Sequence, residues 1–247
     1  MLIGLNLYKP PSKFASLLAR NGSEWPLFLT SRTKFLTPHR RGGIIHQIRG
    51  LKRMEVREIS KKLASDVVVR EHYLHRKPPI SHSYGLFDQD VLMGVMTFGV
   101  PPSRHLQISV CPSQPGAVLE LNRLWVSDEM PRNTESWFIT RALRMLPPRL
   151  ICSYADTKEG HVGYVYRATN WNYFGYTDME RKTPRYDYCV PGKHSRDAFR
   201  GGVGYTRVRR KPKYRYWVAT GDKRARKALE AVCGWGKLSW KEVVAPP

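Results

Sequence analysis

The stretch AVLELNRLWVSDEMPRNTESWFITRALRMLPPRLICSYAD, residues 117–156, decides the fold. Its first ten residues alternate apolar and polar with Leu119, Leu121 and Leu124 inward, the pattern of a half-buried strand. Asp128 to Arg132 turns the chain, and Asn133 or Thr134 is suited to cap a helix whose inner face carries Phe138, Ala142 and Met145, with Trp137 and Leu146 beside it. Pro147-Pro148 stops that helix, and Leu150 to Tyr154 reads as a further strand. A strand, a turn, an amphipathic helix and a strand make an α/β unit.

Outward from this unit the pattern continues. Upstream, Val56, Ile59, Leu63 and Val67 recur at spacings of three and four, which predicts a helix from Glu55 into Glu71-His72-Tyr73-Leu74-His75, closed by Pro78-Pro79. Ser83–Phe87 and Val91–Val100 follow as two strands around the turn Asp88-Gln89-Asp90, and Pro101 to Gly116 as a long loop. Downstream come a short helix near Val162 to Ala168, strands at Tyr173–Tyr176 and Tyr214–Val218, and a basic helix from Asp222 to Val232. The expectation is an α/β fold: a mixed central sheet flanked by helices, with a basic C-terminal extension. The expected division is an N-terminal extension at 1–53, a catalytic domain at 54–220, and a basic helix and tail at 221–247. Residues 1–53 differ from the rest, with Glu24 as their one acidic residue and Pro10, Pro11, Pro26 and Pro38 interrupting any periodicity.

Charge narrows the function. Among 247 residues, 42 Lys and Arg stand against 20 Asp and Glu, a formal net charge of +22. Such self-repulsion is normally compensated by a polyanion, so nucleic acid is the first expected partner. The basic residues are spread along the chain, which argues against a single membrane-surface helix. No apolar run is long enough to span a bilayer, and no secretory pattern opens the chain, so the expected location is the cytoplasm. Cys111, Cys152, Cys189 and Cys233 are far apart and form no CxxC pair, which fits a reducing compartment and no zinc ribbon.

Two segments read as chemistry more than core. One is His72-Tyr73-Leu74-His75 at a helix end; the other is Ser153 to Asp156 with Gly160-His161-Val162-Gly163, Tyr166 and Asn170-Trp171. The second lies past a strand's C-terminal end, where open α/β sheets place their sites. Asp156 there suits a base, a metal ligand, an orienting carboxylate or a helix cap, and Tyr166 is placed to turn back toward it.

The stretches EHYLHRKPP (71–79), LELNRLWV (119–126), PRNTESWF (131–138) and SYADTKEGHVGYVYRATNWNYFG (153–175) together resemble the Mom family of phage DNA-modification proteins. The resemblance covers roughly residues 54–220. It implies a fold like that of the GCN5-related (GNAT) acetyltransferases, which matches the order of elements read above. It implies conversion of adenine in phage DNA to N6-(carbamoylmethyl)adenine, which shields the DNA from restriction in the cytoplasm of the infected bacterium. It also implies an essential His-Tyr pair and an Asp followed by a Tyr, as catalysts or as iron ligands. On this chain those match His72, Tyr73, Asp156 and Tyr166, and the sequence leaves acid–base and metal roles equally open.

In the acetyltransferase-like layout the junction Val126 to Ser136 would offer backbone N–H groups to a phosphate-bearing donor. This junction contains no glycine; Arg132, Asn133, Thr134 and Ser136 are the expected donor-binding residues. Acetyl-CoA and an aminoacyl-tRNA such as glycyl-tRNA are therefore both open as donors. An adenine amine is paired inside double-stranded DNA, so the base must be flipped or the strand opened, with flipped adenine in double-stranded DNA the expected substrate. Arg207, Arg209, Arg210, Lys211 and Lys213, interleaved with Tyr205, Tyr214 and Tyr216, are the expected DNA contacts, joined by Lys223, Arg224, Arg226 and Lys227 of the last helix. The competing readings are an acyltransferase acting on a protein, RNA or small-molecule amine, and a non-catalytic nucleic-acid-binding protein.

Overall fold

The computed structural model describes residues 54–179, 181–189 and 204–239. The N-terminal extension 1–53 and the last eight residues lie outside the described residues. A seven-stranded sheet runs in the order β1-β2-β3-β4-β5-β9-β6. Its strands are β1 Met54–Glu58, β2 His82–Asp88, β3 Val91–Gly99, β4 Val118–Val126, β5 Leu150–Asp156, β6 Asn172–Tyr176 and β9 Lys213–Ala219. Neighbours pair antiparallel except β4 and β5, which run parallel. The mixed α/β architecture expected from the sequence is the one observed.

The helices are α1 Lys61–Glu71, α2 Arg104–Val110, α3 Thr134–Met145, α4 Tyr164–Ala168 and α5 Lys223–Ala231. One face of the sheet, carrying Met96, Phe98, Leu121 and Ile151, packs on Phe138, Ile139, Ala142 and Leu146 of α3. The alternate residues Val95 and Trp125 face α1, and Val118, Leu150, Cys152 and Trp217 pack beside α2 and Trp235. α5 lies against β9 and is capped by Asp222, whose Oδ1 accepts from the Ala225 N–H at 2.7 Å.

Two elements differ from the sequence reading. The helix expected from Glu55 begins at Lys61, because residues 54–58 form β1 against β2, with Val56 opposite Leu86. Ser60 accepts from the Leu63 N–H at 3.2 Å and starts the helix there. Ile59, Leu63 and Val67 have helical spacing, but only Val67 of the three is buried. The expected loop 101–116 contains α2, whose cap Ser103 accepts from the Leu106 N–H at 3.3 Å. A separate two-stranded ribbon, β7 Tyr186–Cys189 with β8 Thr206–Arg209, lies in the region the sequence left as mixed and basic.

The feature that positions the site is where β4 and β5 part. They pair only over Val118–Glu120 and Leu150–Cys152, while β4 stays on β3 as far as Val126. Opposite β3, Leu121 pairs with Phe98 and Arg123 with Thr97, so Asn122 is the extra residue of a bulge, which bends the strand. Asn122 fixes the bend: its Oδ1 accepts from Thr97 Oγ1 at 2.6 Å and its Nδ2 donates to the Pro79 carbonyl at 2.7 Å. Beyond that point the two strands enclose a wedge through the sheet.

Candidate functional site

The wedge is a cleft of about 760 Å³. Residues 121–126 of β4 form one wall and Ser153 to Ala155 of β5 the other; His72 and Tyr73 enter after α1, and Gly163 and Tyr166 with α4. Parallel strands that diverge thus bring together four segments that are far apart in the chain.

The turn after α1 is held by its own backbone. The His72 N–H closes the helix on the Val68 carbonyl, and the His75 N–H bonds the His72 carbonyl at 2.8 Å. His75 Nδ1 donates to the Val69 carbonyl at 3.0 Å, which explains this second histidine as a clasp. His72 is buried and stacks on Tyr73, with ring centroids 4.3 Å apart. Its Nδ1 accepts from the Leu74 N–H at 3.2 Å, so the neutral ring carries its proton on Nε2. Burial, then Arg123, His161 and His75, push its pKa down to about 4, so the neutral form is the one present near pH 7.

Tyr73 stands edge-on to His161 at 5.9 Å. Burial, and then the Asp156 carboxylate, push its phenol up to about 12. Tyr166 is buried under Tyr216 (centroids 4.7 Å) and Trp171 (5.0 Å). Its hydroxyl lies 2.8 Å from Ser153 Oγ, which itself donates to the Leu121 carbonyl at 2.8 Å; the phenol is therefore the donor. Burial raises this phenol also to about 12, partly offset by the Ser153 bond. Gly163, at φ 80°, allows this stack: a Cβ there would lie 2.4 Å from the Tyr216 ring.

Asp156 is buried at the end of β5 but does not line the cleft. Its Oδ1 accepts from the Lys158 N–H at 3.0 Å and its Oδ2 meets Lys213 Nζ at 2.5 Å. It is both a cap for the turn Thr157–Glu159 and half of an ion pair, and it acts on the cleft through its charge on Tyr73. The structure thus gathers His72, Tyr73 and Tyr166 on the cleft walls, with Asp156 behind them.

As placed, His72 Nδ1 already accepts from a backbone N–H, and Asp156 is bound to Lys213 and the Lys158 N–H, so neither of these two is a free iron ligand in this arrangement. Among the described residues no three His, Cys, Asp or Glu side chains converge. What the walls offer is hydrogen-bond donation from His72 Nε2 and aromatic surface from Tyr73.

Of the expected donor-binding residues, Asn133 and Ser136 line the cleft, while Arg132 is exposed outside it and Thr134 is buried. Thr134 Oγ1 donates to the Pro131 carbonyl at 2.6 Å and Ser136 Oγ to the Asn133 carbonyl at 2.9 Å, so neither hydroxyl hydrogen is available. The first-turn N–H groups of Glu135 and Ser136 have no acceptor among the described residues. Glu71, Asp128 and Glu135 put three carboxylates on the cleft rim, of which Glu71 is bound to Arg70.

Sequence reasoning missed Arg123, the one Lys or Arg side chain lining the cleft. Its signal was the polar pair Asn122-Arg123 interrupting the alternation of 117–126.

The expected DNA contacts separate into two groups. Pairing places Tyr186 beside Arg209 and Tyr188 beside Arg207 on one face of the ribbon, with the Arg207 guanidinium 3.6 Å over the Tyr186 ring. Arg209 and Lys211 are exposed. Arg210 instead turns to Asp187, donating through Nε at 3.0 Å and Nη2 at 2.6 Å, and Lys213 is bound to Asp156. Among the described residues no helix is long and apolar enough to cross a membrane.

The model of the Mom protein family matches residues 53–231. The protein named methylcarbamoylase Mom of Escherichia phage Mu is 35% identical over 136 residues, covering 51% of this chain and 55% of that protein. The chain thus spans about half the length of the curated relative it matches. Among solved structures, a Bacillus subtilis acetyltransferase in complex with CoA is similar over 68% of this chain and 99% of its own, with 12% identity and a TM-score of 0.38. A Salmonella typhimurium acetyltransferase with its cofactor acetyl-CoA is similar over 70% of this chain and 98% of its own, with 8% identity and a TM-score of 0.41.

Proposed function

The chain belongs to the Mom protein family, and from that premise we propose that it modifies adenine in double-stranded DNA to N6-(carbamoylmethyl)adenine, protecting phage DNA from restriction in the bacterial cytoplasm. The observation that carries the reading is the cleft where β4 and β5 part, with His72, Tyr73 and Tyr166 on its walls and Asp156 behind them. The cleft lies in the proposed catalytic domain, residues 54–220.

A flipped adenine has the size and flatness to stack on Tyr73, a part-exposed aromatic of the cleft wall. Neutral His72 then donates from Nε2 to an acceptor on the base or the transferred group. Asp156 adds its charge to the burial that raises the Tyr73 phenol, and it orders the turn 157–159. The base for the exocyclic amine is the role we assign to Asp156, reached by release of Lys213 when DNA binds. The DNA backbone lies along the ribbon face of Arg207 and Arg209 and on Lys211, with the basic C-terminal helix, Lys223, Arg224, Arg226 and Lys227, as a second contact.

Two donors each have an observation in their favour. The rim carboxylates Asp128 and Glu135 suit the cationic amine of a glycyl group on tRNA. The free first-turn N–H groups of α3 suit a phosphate of acetyl-CoA. The test of the function is restriction challenge of plasmid recovered from bacteria expressing the chain. Resistance at adenine-containing sites, absent with Asp156→Ala, supports the reading; full sensitivity with soluble protein present overturns it.

A further inference from the structure

The cleft contains a cation that the four expected site residues do not explain. Arg123 enters it from β4, just past the bulge at Asn122. Its Nη1 donates to the Asn122 carbonyl at 2.6 Å, but its buried Nε has no acceptor, and neither Nη makes a bond to a carboxylate. A buried guanidinium Nε normally obtains an acceptor, since an unsatisfied buried donor is costly. Glu120 and Tyr73 are near enough to be felt, yet burial prevails and lowers the Arg123 pKa. His72 lines the same cleft, its Nε2–H has no acceptor among the described residues, and the charge of Arg123 is felt at His72.

We infer that Arg123, with His72 Nε2–H beside it, is a binding site for one carbonyl oxygen, that of the group transferred to the base. Donors without acceptors in one cleft match an oxygen with lone pairs to fill, as a carbonyl has. A polyphosphate is a poorer match, because Asp128 and Glu135 on the same cleft's rim outnumber the one guanidinium. A DNA phosphate is the other oxygen source, and the two are separable by experiment. The identity of the transferred group rests on the proposed function; the oxygen site does not.

The test uses the full chain with Arg123→Gln and Arg123→Lys. Acetamide, a neutral carbonyl probe, is titrated while the His72 ring protons are followed by NMR. Saturable shifts in the native chain, weakened at least about tenfold in Arg123→Gln, support the site. Equal shifts in both overturn it. DNA affinity is then measured by fluorescence anisotropy. Affinity within about twofold of the native chain assigns the oxygen to the transferred group, whereas a tenfold loss assigns Arg123 to a DNA phosphate and overturns the inference. Adenine modification should fall by about 10²–10³ in Arg123→Gln and recover in part in Arg123→Lys. If the native chain leaves adenine unmodified while the acetamide result holds, the proposed function fails and the oxygen site stands.

Discussion

The Tyr166 hydroxyl reaches the backbone of β4 through one atom, Ser153 Oγ, which lies 2.8 Å from the phenol oxygen and donates to the Leu121 carbonyl at 2.8 Å. This chain crosses the wedge just where the ladder between β4 and β5 ends. It substitutes side-chain hydrogen bonds for the missing backbone ones and fixes the width of the cleft at its inner end.

Ser153→Ala should therefore cost more than Tyr166→Phe. The first leaves a buried phenol and the Leu121 carbonyl unpaired, at about 1–3 kcal/mol. The second removes the donor and keeps the stack on Tyr216 and Trp171, at about 1 kcal/mol. Urea denaturation of the two variants measures the difference. Equal midpoints would show that the chain does not hold the strands.

His72 makes stability depend on pH. Its folded pKa of about 4 lies below the ordinary histidine value of 6.5. The unfolded chain therefore takes up the proton first, and stability present above pH 6.5 is lost as pH falls toward 4. Thermal melts across that window should show a smaller loss in His72→Gln than in the native chain. Parallel curves would mean that His72 titrates normally.

Gly163→Ala places a methyl against the Tyr216 ring and forces a left-handed φ on an L residue. The expected cost is about 3 kcal/mol, with the Tyr216 bond to the Val162 carbonyl lost. Chemical denaturation reads it directly.

On the ribbon, Arg209→Ala and Lys211→Ala should each lower the slope of log affinity against log salt by about 0.9, as expected for one lost phosphate contact on duplex DNA. Arg210→Ala, which removes a partner of Asp187, should leave that slope unchanged. Anisotropy titrations at several salt concentrations distinguish the three. A slope that falls equally in all would place Arg210 on the DNA as well.

The unit 117–156 was legible because most of its inward apolar residues enter the core, Leu119, Leu121, Phe138 and Ala142 among them. Met145, expected on the inner face of the helix, is instead exposed, because the buried face turns through Ile139 and Leu146. The first strand was not. In 54–58 only Met54 is buried, so an edge strand leaves no alternation, and Val56 and Ile59 fall by chance in helical step with Val67. The ribbon was hidden because its strands lie far apart in sequence and carry Tyr and Arg on one face, with Val208 the only aliphatic residue and exposed. His72, Tyr73 and Tyr166 could be named in advance through the resemblance, since no periodicity marks them. Arg123 could not, because its isolation follows from the divergence of β4 and β5, a tertiary feature that a strand pattern does not encode. Asp156 stands out in the sequence by its place at a strand end, but its pairing with Lys213 joins positions that read separately there, one for the cleft and one for DNA.

Attachment of a carbamoylmethyl group to adenine, the activity proposed for this cleft, is read out by nucleoside mass spectrometry. Plasmid DNA from bacteria expressing the native chain, Asp156→Asn or Tyr166→Phe is digested and its deoxyadenosine examined. The account predicts a deoxyadenosine heavier by a carbamoylmethyl group in place of one hydrogen, reduced by about 10²–10⁴ in Asp156→Asn, which retains the cap on Lys158 and loses the charge. Unmodified deoxyadenosine from folded, DNA-binding native protein, or full modification by Asp156→Asn, would contradict it.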